Sequence, residues 1–296
     1  MHIGAVFPHE IELAQPSDLA SLLMGLERLG FDYFTVFDHV GGAPASQLGD
    51  LPVVPYTNSS PFFEALVLLG YAAAATTTLG LSTGVLVLPQ RQVVLAAKQL
   101  ATIDQLSGGR LRVGLGVGWN PAEYEALDVD FSRRGDILDE QVELLRSLWS
   151  DELVSSSSDL HRWTGIGLEP RPTTPPPVWF GGISPRVLRR TAQAGDGWIP
   201  PMIDTESGEQ PDFDAALSKL DQLLDEAGRD RDGFGIEGRV RWNPNTQRRS
   251  VVTDAADRWR ARGATHFAVA AALDPTERTV EDYLDAFASA RDALAL

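Results

Sequence analysis

The sequence predicts a (β/α)8 TIM barrel with insertions, and three observations carry that expectation. Short apolar segments alternate with helical ones along the chain, and the count reaches eight strands, each followed by a helix. The length, 296 residues, suits one α/β barrel or two ordinary domains. Residues 79–117 read strand, helix, strand, an order that gives parallel neighbours joined by a right-handed crossover. The competing architecture is an open doubly wound sheet. It calls for a glycine-rich loop after the first strand, where this chain has Phe7-Pro8-His9-Glu10.

The first strand covers residues 2–7 and ends in that polar loop. Ser17 is a suitable N-cap for a helix whose Leu19, Leu22, Leu23, Leu26 and Leu29 share a face, and Gly30 ends it. The second strand, residues 33–37, carries Asp38-His39 at its C-terminal end. A Gly/Pro/Ser-rich loop follows over residues 41–60. The helix predicted over residues 62–75 is apolar around most of its circumference, which implies burial on more than one side. One side packs on the barrel. The other is a candidate homodimer interface, or else is buried deeper within the chain.

The third strand is expected over residues 79–88, bounded by Pro89, and the next helix over 93–106 is stopped by Gly108-Gly109. In the fourth strand, residues 111–117, Leu111, Val113, Leu115 and Val117 share one face. Gly114, Gly116 and Gly118 line the other. A glycine face leaves room for a close approach to the backbone, either by a packing neighbour or by a planar ligand, and the strand alone does not choose. After a helix over 134–149, residues 151–177 form an insertion with a serine run and a terminal proline tract, expected to cross the barrel surface as an extended loop. The fifth strand, 178–180, meets Gly181-Gly182, and Ser184-Pro185 opens a helix that closes at Gly195. Residues 198–199 are a sixth strand, and a helix follows over 213–227. The seventh strand, 234–241, is expected to be broken by Gly235 and Gly238, with an arginine-bearing loop after it. A helix over 255–262, an eighth strand over 265–271 and a helix opened by a Thr279/Asp282 capping box complete one barrel domain over residues 1–296.

Composition removes several classes of function. The formal charge is -16, from 41 acidic and 25 basic residues, which argues against nucleic acid and anionic membranes as main partners. There is no cysteine, hence no disulfide, thiolate nucleophile or cysteine–zinc site. No His/Asp/Glu spacing suggests a metal site, and no Gly-x-Ser-x-Gly elbow is present. With no basic-then-apolar leader pattern and no uncharged run long enough for a bilayer, the expectation is a soluble cytoplasmic protein.

A barrel places its chemistry in the loops after the strands. That selects His9 and Glu10, Asp38 and His39, Gly84, Val85 and Arg91, then Trp119, Asn120, Glu123 and Tyr124, and Gly181, Gly182 and Ser184. His39, one of five histidines, can exchange protons near neutral pH, or it can simply bond a loop. Asp38 beside it points to the opposite face and need not touch it. Gly181-Gly182 before the Ser184 helix is either an anion seat or a tight turn. Trp119 can stack on a ring or cap the barrel.

FDYFTVFDHV (31–40), LGLSTGVLVLPQRQVVLAAKQLATIDQLSGGRLRVGLGVGWNPAEYEAL (79–127) and VWFGGISPRVLRRTAQAGDGWIP (178–200) resemble the luciferase-like monooxygenase superfamily, in particular its coenzyme F420-dependent oxidoreductase branch. The resemblance implies a (β/α)8 barrel with a deazaflavin, coenzyme F420, across the C-terminal mouth and its phosphate near Gly181-Gly182. It further implies a bulge at Thr83-Gly84-Val85 behind the ring with a cis peptide between Gly84 and Val85, and Gly118, Trp119 and Asn120 beside the cofactor. His39 falls where some relatives contact the reacting face or the substrate. Glu123 stands where a carboxylate is expected after the glycine strand, displaced by Trp119-Asn120-Pro121-Ala122. On this reading His39, Asp38 and Glu123 form the catalytic set, and the reaction is hydride transfer between F420 and a small organic substrate. The rivals are an FMN-dependent monooxygenase using O2 and a non-catalytic flavin-binding protein. An anionic cofactor tail calls for basic residues at the mouth, with Arg91, Arg171 and Arg186 as candidates.

Overall fold

The computed structural model of the chain describes residues 1–47, 56–202 and 211–295. In chain order its main elements are β1 (His2–Val6), α1 (Ser17–Arg28), β2 (Tyr33–Val36), α2 (Ala65–Ala75), β3 (Gly80–Thr83), β4 (Leu86–Val87), α3 (Val93–Ser107), β5 (Leu111–Gly116), α4 (Pro121–Ala126) and α5 (Arg134–Ser150). They continue with β6 (Val154–Ser157), β7 (Arg162–Ile166), β8 (Val178–Gly181), α6 (Pro185–Ala194), β9 (Gly197–Ile199), α7 (Phe213–Glu226), β10 (Gly235–Trp242), α8 (Ser250–Ala261), β11 (His266–Ala271) and α9 (Val280–Leu294). One sheet runs β3-β2-β1-β11-β10-β9-β8-β5-β4, and β3 also pairs with β5, which closes it. Every ladder in it is parallel. Because β3 and β4 are two pieces of one stave, the result is the predicted (β/α)8 barrel.

Strand side chains alternate between the helix layer and the lumen. On β5, Leu111, Val113 and Leu115 join the large core between sheet and helices. Arg112 turns the other way, its guanidinium 4.6 Å from the Tyr33 ring and 4.2 Å from the Trp179 ring. A small second core of Val6, Tyr33, Ala268 and Ala270, with Phe37 and Met202 against it, lies on that inner side. The glycine face of β5 therefore looks into the lumen, and protein atoms fill it. A Cβ on Gly114 would overlap the Thr83 carbonyl and Ile199, and one on Gly116 would overlap Val85. These glycines admit packing neighbours, which decides between the two readings of that face.

The third strand is split into β3 and β4 at Gly84-Val85, where the peptide is cis, as the family resemblance implies. Other segments depart from the sequence expectation. The helix expected from residue 62 begins at Ala65, because the Glu64 carboxylate accepts the Val67 N–H at 2.7 Å and caps it. Phe62 and Phe63 are thereby left in the loop. The insertion is not all extended loop: β6 and β7 pair as an antiparallel hairpin. Its serine run can form a strand because the hydroxyls of Ser156 and Ser158 bond the His161 carbonyl, at 2.8 and 3.3 Å. Finally, β10 is continuous. Gly235 and Gly238 do not break it; each gives way to an indole, Trp179 and Trp259 respectively.

Helix α2 buries Leu66, Leu68, Leu69, Ala72 and Ala73, yet Val67 is 71% exposed and Tyr71 41%. Its second apolar side is uncovered in the isolated chain. Among the described residues no helix is long and apolar enough to cross a membrane.

Candidate active site at the barrel mouth

The C-terminal ends of β1, β2, β4, β5 and β8 bring the sequence-selected residues to one end of the barrel. His39 follows β2, and its Nδ1 lies 3.5 Å from a Glu123 carboxylate oxygen. Glu123 is carried by α4, which Asn120 caps by accepting the Ala122 N–H at 3.0 Å. The Glu123 carboxylate also accepts the N–H groups of Val40 (2.9 Å) and Gly41 (3.2 Å) and the side-chain amide of Gln90 (3.3 Å). Burial favours its neutral form, but His39, the Gly41 N–H and Gln90 outweigh that and hold the carboxyl below its ordinary value. Glu123 is thus an ionised acceptor. In the tautomer with hydrogen on Nδ1, His39 donates to this carboxylate and keeps Nε2 for another partner.

An aromatic wall surrounds His39. Its ring centroid is 3.9 Å from Tyr56, 4.9 Å from Phe62 and 6.3 Å from Trp119. Tyr56 receives a 2.8 Å hydrogen bond from Asn120 Nδ2 and packs 5.2 Å from Trp119. Below it, His9 sits 4.4 Å from Phe62 and is stacked on Phe37 at 6.1 Å, and neither ring nitrogen has a partner. Burial, and secondarily His39, lower its pKa to about 3, so it is neutral.

Asp38 stands apart from His39. Its carboxylate takes both guanidinium nitrogens of Arg91 at 2.7 Å and the Val87 N–H at 2.8 Å. Burial pushes this carboxyl above its ordinary value against the pull of Arg91. The pair ties the end of β2 to β4 and the start of α3, so the Asp38 carboxylate is committed to Arg91 and the Val87 N–H.

The other selected residues divide the same way. Thr83 is fully buried and donates to the Gly114 carbonyl at 2.7 Å, so it braces the bulge from inside. Val85 fills the space over both Gly116 and Gly181. The Cβ side of Gly181 therefore packs against Val85, and the residue itself is half-buried. Gly182, at φ 120, donates its N–H to the Ile199 carbonyl at 3.0 Å, and at the N-terminus of α6 the Ser184 hydroxyl caps by accepting the Val187 N–H at 3.4 Å. Gly118 adopts φ 64 and turns the chain toward Trp119. The three expected basic residues are all engaged: Arg91 with Asp38, Arg171 with Glu169, and Arg186 with Asp136 and Asp139. Exposed Arg241, Arg248 and Arg249, at and beyond the end of β10, pair with no carboxylate among the described residues. No metal-binding group of His, Asp or Glu occurs among the described residues.

Sequence reasoning missed Tyr56, Phe62, Gln90 and Arg239. Tyr56 lay inside a Pro/Ser-rich loop and Phe62 inside a predicted helix. The signal for Gln90 was its polarity beside Pro89 at a strand end. Arg239 reads as one of several charges in a strand, and only its inward parity marks it.

Fold and mouth together define a (β/α)8-barrel enzyme. A model described as luciferase-like monooxygenase matches residues 1–292, and the chain belongs to that family of oxidoreductases. It is 30% identical over 232 residues to an uncharacterized protein of Mycobacterium tuberculosis (strain ATCC 25618 / H37Rv), covering 73% of this chain and 78% of the relative. It is 28% identical over 282 residues to an F420-dependent glucose-6-phosphate dehydrogenase of Nakamurella multipartita, covering 91% and 74%. Its fold is similar to that of an F420-dependent secondary alcohol dehydrogenase solved with an F420-acetone adduct, with TM-score 0.76, 19% identity and coverage of 99% and 98%.

Proposed function

We propose that this oxidoreductase binds coenzyme F420 across its mouth and transfers a hydride between it and a small organic substrate. The observation that carries the reading is the His39–Glu123 pair, set beneath an aromatic wall at the end of the barrel where Val85 forms a packed shelf. The F420-dependent relatives support the choice of cofactor. The residues present fit the group. Val85 and the bulge at Gly84 offer a flat apolar seat, and the first turn of α6 offers N–H donors for a phosphate, while the Gly182 N–H itself goes to the Ile199 carbonyl at 3.0 Å. Arg241, Arg248 and Arg249 supply cations for an anionic tail.

When bound, F420 would supply a ring carbon that accepts or gives a hydride. The chain's part is position and proton handling. Glu123 fixes His39, whose Nε2 takes or returns the proton that accompanies the hydride on the substrate oxygen. Tyr56, Phe62 and Trp119 keep water from that nitrogen. Asp38 and Arg91 hold the strand ends in place.

We further propose that the chain forms a homodimer through α2, whose Val67 and Tyr71 side would be covered by a second copy.

The cofactor reading is tested by titrating the purified protein with F420 and, separately, with FMN. Binding of F420, followed by its reduction with one member of a panel of alcohols and aldehydes, is the expected result. Binding of FMN alone, with oxygen uptake by the reduced complex, would reverse it in favour of a monooxygenase. Binding without turnover of either cofactor would leave a flavin-binding protein.

A further inference from the structure

A buried charge cluster crosses the barrel lumen. Glu237, with 0% exposure, pairs with Arg112 and, at 2.6 Å, with Arg239 Nε. Burial would raise its pKa, but the two guanidinium groups outweigh that and lower it to about 2, so it is ionised. The other polar groups facing the cluster are uncharged: Tyr33, Thr35, Ser82, and His266, whose pKa burial and Arg112 depress to about 3. Asp32 lies outside, half exposed at the opposite end of the barrel beside His2. Two guanidinium groups against one carboxylate leave one excess positive charge in the lumen. Arg239 aims part of that charge at the mouth: its Nη1 donates to the Gly84 carbonyl at 2.7 Å, and its Nη2, 4% exposed as a residue, has no partner.

We propose that this excess charge lies under the cofactor ring and favours the ring's reduced state over its oxidised one. The inference rests on the reading above, in which the ring lies against Gly84 and Val85. The chemistry is a charge balance. A hydride carries two electrons and one proton, so the ring that accepts it gains one negative charge, and the substrate that gives it releases its remaining proton to His39. A neighbouring cation in a low-dielectric interior stabilises the more negative of the two states. Arg239 is a positioning residue here, since it acts through the Gly84 carbonyl and through its field.

The test compares dissociation constants for oxidised and reduced F420, measured anaerobically, for wild type, Arg239→Met, Arg239→Lys and Arg112→Met. Wild type is expected to favour the reduced form. Arg239→Met should cut that preference by about tenfold or more, as removal of a unit charge within about 10 Å would. Arg239→Lys should keep the preference even where both affinities fall. Arg112→Met, one carboxylate further from Gly84, should act in the same direction with smaller size, and it serves if Arg239→Met does not fold. Equal changes in both constants across the charge-removing variants would make the cluster a scaffold only and overturn the inference. Failure of wild type to bind either form would instead overturn the cofactor reading, and this inference with it.

Discussion

Nδ1 of His39 faces the Glu123 carboxylate across 3.5 Å, and Glu123 is itself fixed by two backbone N–H groups and Gln90. On the proposed function, one ring nitrogen serves orientation and the other chemistry. His39→Ala should lower F420 turnover at least about 100-fold with cofactor binding retained. Glu123→Gln keeps the shape but removes the charge, so its loss should be smaller and should alter the pH–rate profile. Steady-state kinetics over pH checks both. Unchanged turnover in His39→Ala would remove it from the reaction.

The Asp38–Arg91 pair should behave as scaffold. Arg91 has side-chain exposure of 12% and Asp38 of 0%, so Asp38→Asn leaves a buried guanidinium with only the more exposed Glu64 carboxylate, at 3.1 Å, as charge partner. A stability loss of about 3–5 kcal/mol is expected, as for other broken buried pairs. Replacing both by apolar residues should cost less than Asp38→Asn alone. Denaturant unfolding of the single and double variants measures this, and an additive result would contradict it.

Val85 and Gly116 should be strongly coupled. A Cβ on Gly116 would overlap a Val85 methyl, so Gly116→Ala should destabilise by about 1–3 kcal/mol as overpacking does. Truncating the methyls in Gly116→Ala/Val85→Ala should recover part of that loss. The double-mutant cycle is read in unfolding free energy, and a coupling of zero would mean the two residues do not compete for one space.

His9 should make the fold acid-sensitive. Its folded pKa, about 3, lies below the ordinary histidine value of 6.5. Between those values the unfolded chain holds a proton that the folded one lacks. Stability from this group is therefore complete above about pH 6.5 and falls as pH drops toward 3, by about 1.4 kcal/mol per unit. His9→Phe should flatten the stability–pH curve in that window and leave it unchanged above pH 7. Urea midpoints at several pH values give the slope.

The uncovered side of α2 should govern assembly. Val67→Glu/Tyr71→Glu should convert a dimer to a monomer in sedimentation velocity without loss of the folded circular-dichroism spectrum. A wild-type monomer at all concentrations would end the dimer proposal.

Much of the barrel was legible in the sequence because its signals are local. Short apolar runs marked every stave, Ser184-Pro185 and Thr279/Asp282 marked helix starts that the structure keeps, and the strand-end filter included His39 and Glu123 among its selections. Element starts such as Ala65 were harder, since they depend on which neighbouring side chain caps the helix. What only the tertiary structure decided was partnership. Asp38 and His39 are adjacent in sequence yet serve different partners, because successive residues at a strand end face opposite ways. The glycine face of β5 admits Val85 and Ile199, which arrive from other staves, and no property of residues 111–118 could choose between them and a ligand. The lumen charges Arg112, Glu237 and Arg239 are ordinary letters in separate strands. Closure of the sheet brings them into one low-dielectric space, where their balance acquires physical consequence.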